Sequence, residues 1–178
     1  MISYLYHHYK LSLERIQKLY RASPEVVVYF LGGSLPFTAL LHMRQLSLLL
    51  MIAHLGPANI LHQLAVSVLA SATSPPQSWF TQIRAICSQY SIEDPLNIRS
   101  APPKKSTFKT RTKSLILDFW EKKLRFDSSQ LPSLQFFHPK YYSLSKPHPV
   151  WLTAGENPYE VEKACIQARM LSGRYRNC

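Results

Sequence analysis

Carboxylates are scarce in this sequence. Ten Asp and Glu stand against 21 Lys and Arg, leaving a formal net charge of +11 over 178 residues, and the only aspartates are Asp94, Asp118 and Asp127, none paired within a tight turn. Two-metal polymerases and nucleases hold their ions about 3.5–4 Å apart with clustered carboxylates, so no site of that kind is expected. Cysteine is nearly absent as well. Cys87, Cys165 and Cys178 are odd in number, far apart and without a CxxC pair, which excludes a disulfide framework and a self-contained zinc site. The seven histidines are scattered, and His42, His54 and His62 lack the spacing that would set two on one helix face. Gly32-Gly33 is followed by no further glycine and lysine of a phosphate loop, and there is no GxSxG elbow. The chain is therefore expected to be no enzyme and to need no metal or cofactor. It also lacks a charged-then-apolar leader ending in small residues, which with the cysteine usage predicts an intracellular protein, cytoplasmic or nuclear. From Ile2 onward the text is at once aromatic, so Met1 reads as an internal methionine of a longer frame.

What is present is concentrated charge. Residues 102–125, PPKKSTFKTRTKSLILDFWEKKLR, hold eight Lys and Arg against Asp118 and Glu121, a net of +6 and more than half of the total. A pI near 9.7 narrows the partners to polyanions, nucleic acid first and an anionic membrane surface second. On a helix, Phe108, Leu115, Phe119 and Phe126 would form one apolar stripe, with Ile116, Leu117, Trp120 and Leu124 on a neighbouring one, implying two packing partners. Asp118–Lys122 and Glu121–Arg125 are acid-first pairs four residues apart, each worth ~0.2–0.5 kcal/mol. That strip reads as a self-neutralised, solvated face. The cations left over are Lys104, Lys105, Lys109, Arg111 and Lys113, at or before the first helical turns. A helix N-terminus carries about +0.5 of an elementary charge and disfavours them, and a bound phosphate run would relieve the clash. A flexible, soluble connector is the competing reading of the same segment.

The periodicity predicts a helix over residues 4–22, with Leu11, Leu13, Ile16, Leu19 and Tyr20 toward a core and Lys10, Arg15 and Lys18 toward water. Val26–Leu31 fits either a strand or a further helical turn. Ser34-Leu35-Pro36 starts a helix that runs to about Leu55 and is apolar nearly all round. Arg44 and the polar residues beside it favour a buried core helix over a membrane span, with Arg44 either partnered or snorkelling outward. A helix over 58–72, a turn-rich linker over 71–77, an amphipathic helix from Trp79 to Tyr90 and a second linker over 91–103 follow. Residues 131–149 are aromatic and proline-rich without period and read as an extended loop packed on the core. Aromatics interleaved with cations are also the ingredients of a base-stacking platform, so Tyr141, Tyr142 and Trp151 are candidates for stacking. Asn157, Pro158 and Glu160 form a helix start, and Gly173 ends that helix before the basic tail containing Arg174 and Arg176.

Four stretches, LPFTALLHMRQLSLLLMIAHL (35–55), SWFTQIRAICSQY (78–90), KSLILDFWEKKLR (113–125) and SLSKPHPVWLTAGENPYEVEKACIQARMLSGRYR (143–176), together resemble the region following the reverse transcriptase domain in animal LINE-type, non-LTR retrotransposon polyproteins. The resemblance implies a helical, thumb-like unit over 1–72, a linker-flanked amphipathic helix over 73–103, and a segment over 104–178 holding the basic helix, aromatic loop and capped C-terminal helix. The parent's polymerase and nicking activities belong to domains absent here, and none of their catalytic residues carries over. The family pattern continues into a Cys/His-bearing tail where this chain stops at Cys178, implying a truncated or degenerate copy.

The expected fold is mainly α, an irregular multi-helix assembly with a proline- and aromatic-rich extended loop before the last helix. The expected function is non-catalytic RNA or DNA backbone binding through Lys104, Lys105, Lys109, Arg111 and Lys113, with Arg174 and Arg176 secondary, and no membrane partner. The alternatives are a helical interaction module docking on a reverse transcriptase core, or an inert relic of a degenerate element.

Overall fold

The computed structural model describes residues 2–70, 78–134, 137–138, 142–152, 155 and 157–173. The fold is mainly α, and no strand occurs among the described residues. Its helices are α1 (Ile2–Ile16), α2 (Glu25–Gly32), α3 (Phe37–Ala53), α4 (Ile60–Ala70), α5 (Trp79–Gln89), α6 (Pro95–Ser100), α7 (Lys105–Ser129), α8 (Pro149–Leu152) and α9 (Pro158–Leu171), with a 3-10 turn at Pro132–Leu134. They form two compact units, residues 1–38 with 117–178, and residues 39–116, so that α3 and α7 each belong to both.

In the first unit the ambiguous run Val26–Leu31 is a helix. A lone strand would have no ladder for its backbone groups, whereas a helix satisfies them internally. Glu25 in its first turn suits the dipole, and the chain leaves through Gly33 at φ 59°, whose N–H returns to Phe30 and Tyr29 carbonyls. All six residues from Val26 to Leu31 are at most 3 % exposed. α1 packs against α2. The carbonyl of Leu31, orphaned at the helix end, accepts from the His148 N–H at 3.0 Å and from the Trp151 indole N–H at 2.8 Å. A Cβ on Gly33 would lie 2.2 Å from the Lys146 carbonyl carbon, so glycine is required both for its φ and for that approach.

α1 ends at Ile16, six residues before the expected stop. Lys18 and Ala22 take left-handed φ values of 50° and 69°, which no helix can include. Ile16 is consequently 78 % exposed rather than in the core. The residues that are buried instead are Glu14 and Gln17. Gln17 donates from Nε2 to the Val28 carbonyl at 3.0 Å. Lys10 Nζ lies 3.1 Å from Glu14 Oε1, although neither carboxylate oxygen receives a well-aligned hydrogen bond; the pair is a charge contact more than a directed one. From the far end of the sequence Arg169 donates to the Lys18 carbonyl at 2.8 Å and lies over the Tyr20 ring. α9 has the expected start, with Asn157 accepting from the Tyr159 N–H and Pro158 in the first turn, and it buries Ala164, Cys165 and Ala168. Gly173 follows it at φ 74°.

The second unit holds α4 against α5 and α6, and α5 against α6. Ile83, Ile86, Cys87 and Tyr90 are buried along α5 as the spacing requires. Within the expected linker over 91–103 the structure places α6, because Asp94 accepts from the Leu96 N–H at 2.8 Å and Pro95 occupies the first turn. The linker over 71–77 lies outside the described residues. α3 buries Leu46, Leu49, Leu50 and Ile52, while Arg44 is exposed. No single helix among the described residues is long and apolar enough to cross a membrane.

Along α7 the buried residues are Phe108, Thr112, Ile116, Trp120, Leu124 and Ser128, one row at four-residue steps. Each step overshoots a full turn by about 40°, so the row winds around the helix and two straight apolar stripes do not describe it. Phe108 joins the row with Ile116, and Phe126 stands exposed. Thr112 and Ser128 enter the row at no polar cost, since their hydroxyls donate to the Phe108 and Arg125 carbonyls.

Two backbone substitutions test these turns. Ala22→Gly relieves a left-handed alanine and is expected to raise stability by up to about 1 kcal/mol. Gly33→Ala forces a Cβ into the 146–147 backbone and is expected to lower it by more than about 1 kcal/mol; urea melts of both variants check the opposite signs.

Candidate nucleic-acid interface

α7 begins with cations. Lys104 immediately precedes it, no acid occupies its first turn, and Lys105, Lys109 and Lys113 follow at four-residue steps, about 6 Å apart along the axis. All four lysines are exposed, and among the described residues no carboxylate pairs with any of them. The acids of the second unit are Glu93 and Asp94, and both are engaged. Glu93 accepts from Arg111 at 3.0 Å, and Asp94 caps α6. Arg111 and Glu93 are each more than half exposed, so their pair is worth at most about 1 kcal/mol. The structure thus brings Lys104, Lys105, Lys109 and Lys113 to one end of one helix and sets Arg111 beside an acid that the sequence reading left unassigned.

The two expected acid-first pairs form. Lys122 Nζ is 2.7 Å from Asp118 Oδ2, and Arg125 Nη2 is 3.1 Å from Glu121 Oε2. Only the first is a solvated pair. Glu121 Oε1 also accepts from the Ser143 hydroxyl at 2.7 Å and the Leu144 N–H at 3.0 Å, and Arg125 donates to the Tyr142 carbonyl. A pair that looked like surface neutralisation therefore clamps the 142–145 segment to α7. Local spacing predicts the pair; its second set of partners, 17 to 23 residues away, carries no local signal.

The half-buried Tyr142 packs against two neighbouring rings. Its ring lies between Phe137, at 5.1 Å, and His148, at 4.2 Å. Trp151 spends its indole N–H on the Leu31 carbonyl, while its half-buried ring lines a shallow recess of about 300 Å³ with Ile16, Gln17, Gly32 and Pro147. Tyr141, Arg174 and Arg176 lie outside the described residues.

Groups of catalytic type occupy settings that subdue them. Burial, and secondarily the Asp94 charge, push the Cys87 thiol up to about 12, so it is a thiol and not a nucleophilic thiolate at neutral pH. Burial, then its bond to Glu25, pushes the Tyr6 phenol up to about 12. His42 Nδ1 is 2.8 Å from the Tyr90 hydroxyl. His148 Nδ1 accepts the Val150 N–H at 3.0 Å, which requires that nitrogen to be unprotonated. No group of three His, Cys, Asp or Glu among the described residues is close enough to hold a metal ion. The recess beside the start of α7, lined by Glu93, Pro103, Phe108 and Arg111, has about 50 Å³, room for water and not for a substrate.

No protein-family model, curated protein or solved structure matches the chain.

The half-buried His42 and the buried His148 set an acid limit. Burial lowers both His42 and His148 below the usual 6.5, so on acidification the unfolded chain takes up these protons first. Their effect is absent above about pH 6.5, and stability falls as pH drops through that value toward the folded-state pKa. Urea midpoints at about pH 7.5 and 5.5 are expected to decline toward acid, and His42→Gln with His148→Gln is expected to flatten that decline.

Proposed function

We propose that this chain is a non-catalytic, helical binding protein that holds the RNA or DNA backbone along the start of α7. The observation that carries this reading is the row Lys105, Lys109 and Lys113, preceded by Lys104, with no acid in the first turn and no carboxylate partner among the described residues. Ammonium groups about 6 Å apart on a rigid helix face successive phosphates of one strand and lose their mutual repulsion there. They are point charges without base-reading geometry, so binding is expected to depend on salt and hardly on sequence. Arg111 adds a contact when a phosphate displaces Glu93. The resemblance of the four stretches to the region that follows a LINE-type reverse transcriptase supports the same reading, since a chain placed there lies beside template RNA and nascent DNA.

A second reading, a module that docks on another protein, is favoured by the outward apolar residues of α3 and α4. The two readings use different surfaces.

Titrating the chain into labelled single-stranded RNA at several salt concentrations tests the first. Four neutralised phosphates give a slope of log affinity on log salt of roughly −3. Reversing Lys104, Lys105, Lys109 and Lys113 to Glu is expected to abolish that slope and reduce affinity by at least about 100-fold at low salt. Lys122→Glu, on a paired and solvated position, is expected to change little; equal losses in both variants would refute the assignment to the start of α7.

A further inference from the structure

Between Arg44 and Arg84 the sequence runs 39 residues without one Asp, Glu, Lys or Arg. At the chain's charged fraction of 17 % such a stretch would carry about six or seven. It covers the last two turns of α3, the connection over 54–59, all of α4 and the beginning of α5. Within it α4 is inside out. The one fully buried residue of its described face is Ala65, at 1 % exposure, while Ile60 is 77 % exposed and Leu61 and Leu64 are about half exposed. Just before the connection, Leu48 and Met51 stand exposed on α3. A soluble helix ordinarily turns its large apolar residues inward and its small or polar ones outward. Here alanine packs inward and isoleucine and leucine face water, a sequence suited to a covered state.

From this we infer that the α3–α4 corner is a self-association surface, whose occupant is the same corner of a second copy of this chain. Charge selects that occupant. Each copy carries a net +11, so two copies repel across their basic surfaces and approach most easily where neither carries charge. A charged partner surface would lose its hydration against Leu and Ile with nothing to compensate it, whereas the same face of a second copy is uncharged by identity. A twofold pairing also satisfies both faces at once. Area agrees with a transient dimer. With on the order of 100 Å² offered by each of the five side chains, a pair buries roughly 1,000 Å² in total, at the lower bound for a specific interface. The inference deepens the docking reading above by putting a second copy in place of another protein, and it uses side chains other than the lysine row, which begins next to the Pro103 carbonyl that His54 Nε2 approaches at 3.2 Å.

Sedimentation of the full chain over ~1–200 µM, a range that brackets micromolar association, is expected to show a monomer–dimer equilibrium. Leu64→Lys and Leu64→Glu, each at a half-exposed position, are expected to remain monomeric while keeping the parent's thermal melt. Mixed in equal amounts, the two variants are expected to recover a dimer, because in a face that meets itself the new charges of opposite sign come together. A monomer at every concentration overturns the inference and leaves the face to another occupant, and so does a dimer that persists unweakened in Leu64→Lys. Polydisperse aggregation that the substitutions leave unchanged overturns it too. Charge reversal of the four lysines is expected to leave dimerisation intact, so loss of RNA binding and loss of self-association are separately readable.

Discussion

The last carbonyl of a buried helix must find a donor, and at Leu31 it finds two. α2 is apolar on every side and buried from Val26 to Leu31, so its C-terminal end cannot turn to water for the missing bonds. His148 and Trp151 supply them from well over a hundred residues away. Much of the first unit follows from that requirement. The 146–147 backbone must pass against Gly33, which admits no side chain. Glu121 and Arg125 then anchor the neighbouring 142–145 segment to α7, and the Tyr142 ring meets those of Phe137 and His148 at a tilt. Phe137, whose ring lies 6.1 Å from that of Phe30, thus serves the helix it covers.

α7 divides its length between tasks. No acid among the described residues pairs with Lys104, just before α7, or with Lys105, Lys109 and Lys113 in its first turns, and its later turns spend their charge on holding the loop. What separates the two is the supply of carboxylates: of the two in the second unit, one lies on Arg111 and the other caps α6. In a protein so poor in acids, a cation row with no acid partner among the described residues is a product of composition as much as of placement, and under the proposed reading a polyanion would balance it. The uncharged corner of α3 and α4 is the complement of that imbalance. Charge crowded onto one helix leaves another surface with none, where burial of apolar area is the main gain that contact could bring.

Much of the helix inventory was legible because its signals are local. Asn157 and Pro158 begin α9 where the cap says they should, and the buried face of α5 follows its period. Asp94-Pro95 is an equally good local start for α6, set in a stretch that reads as a linker because it ends in Pro102-Pro103. The stop of α1 at Ile16 was not legible, since Lys18 and Ala22 carry no turn signature and hold their left-handed backbone through Gln17 and Arg169, whose bonds reach Val28 and Lys18. The basic residues at the start of α7 were visible as a charge run. Which of them is free depended on Glu93, 18 residues from Arg111 in the chain and adjacent in space.

Sequence by itself determined the helical class, the uneven charge and the candidate phosphate contacts, because propensity, caps and composition act within a few residues. Tertiary structure decided that Val26–Leu31 is a buried helix, that Tyr142 is sandwiched between neighbouring rings, that Glu121 is a clamp, and that Ile60 and Leu64 face outward. Each of those outcomes turns on which distant group completes a hydrogen bond or covers an apolar surface, and no local pattern carries the identity of a distant partner.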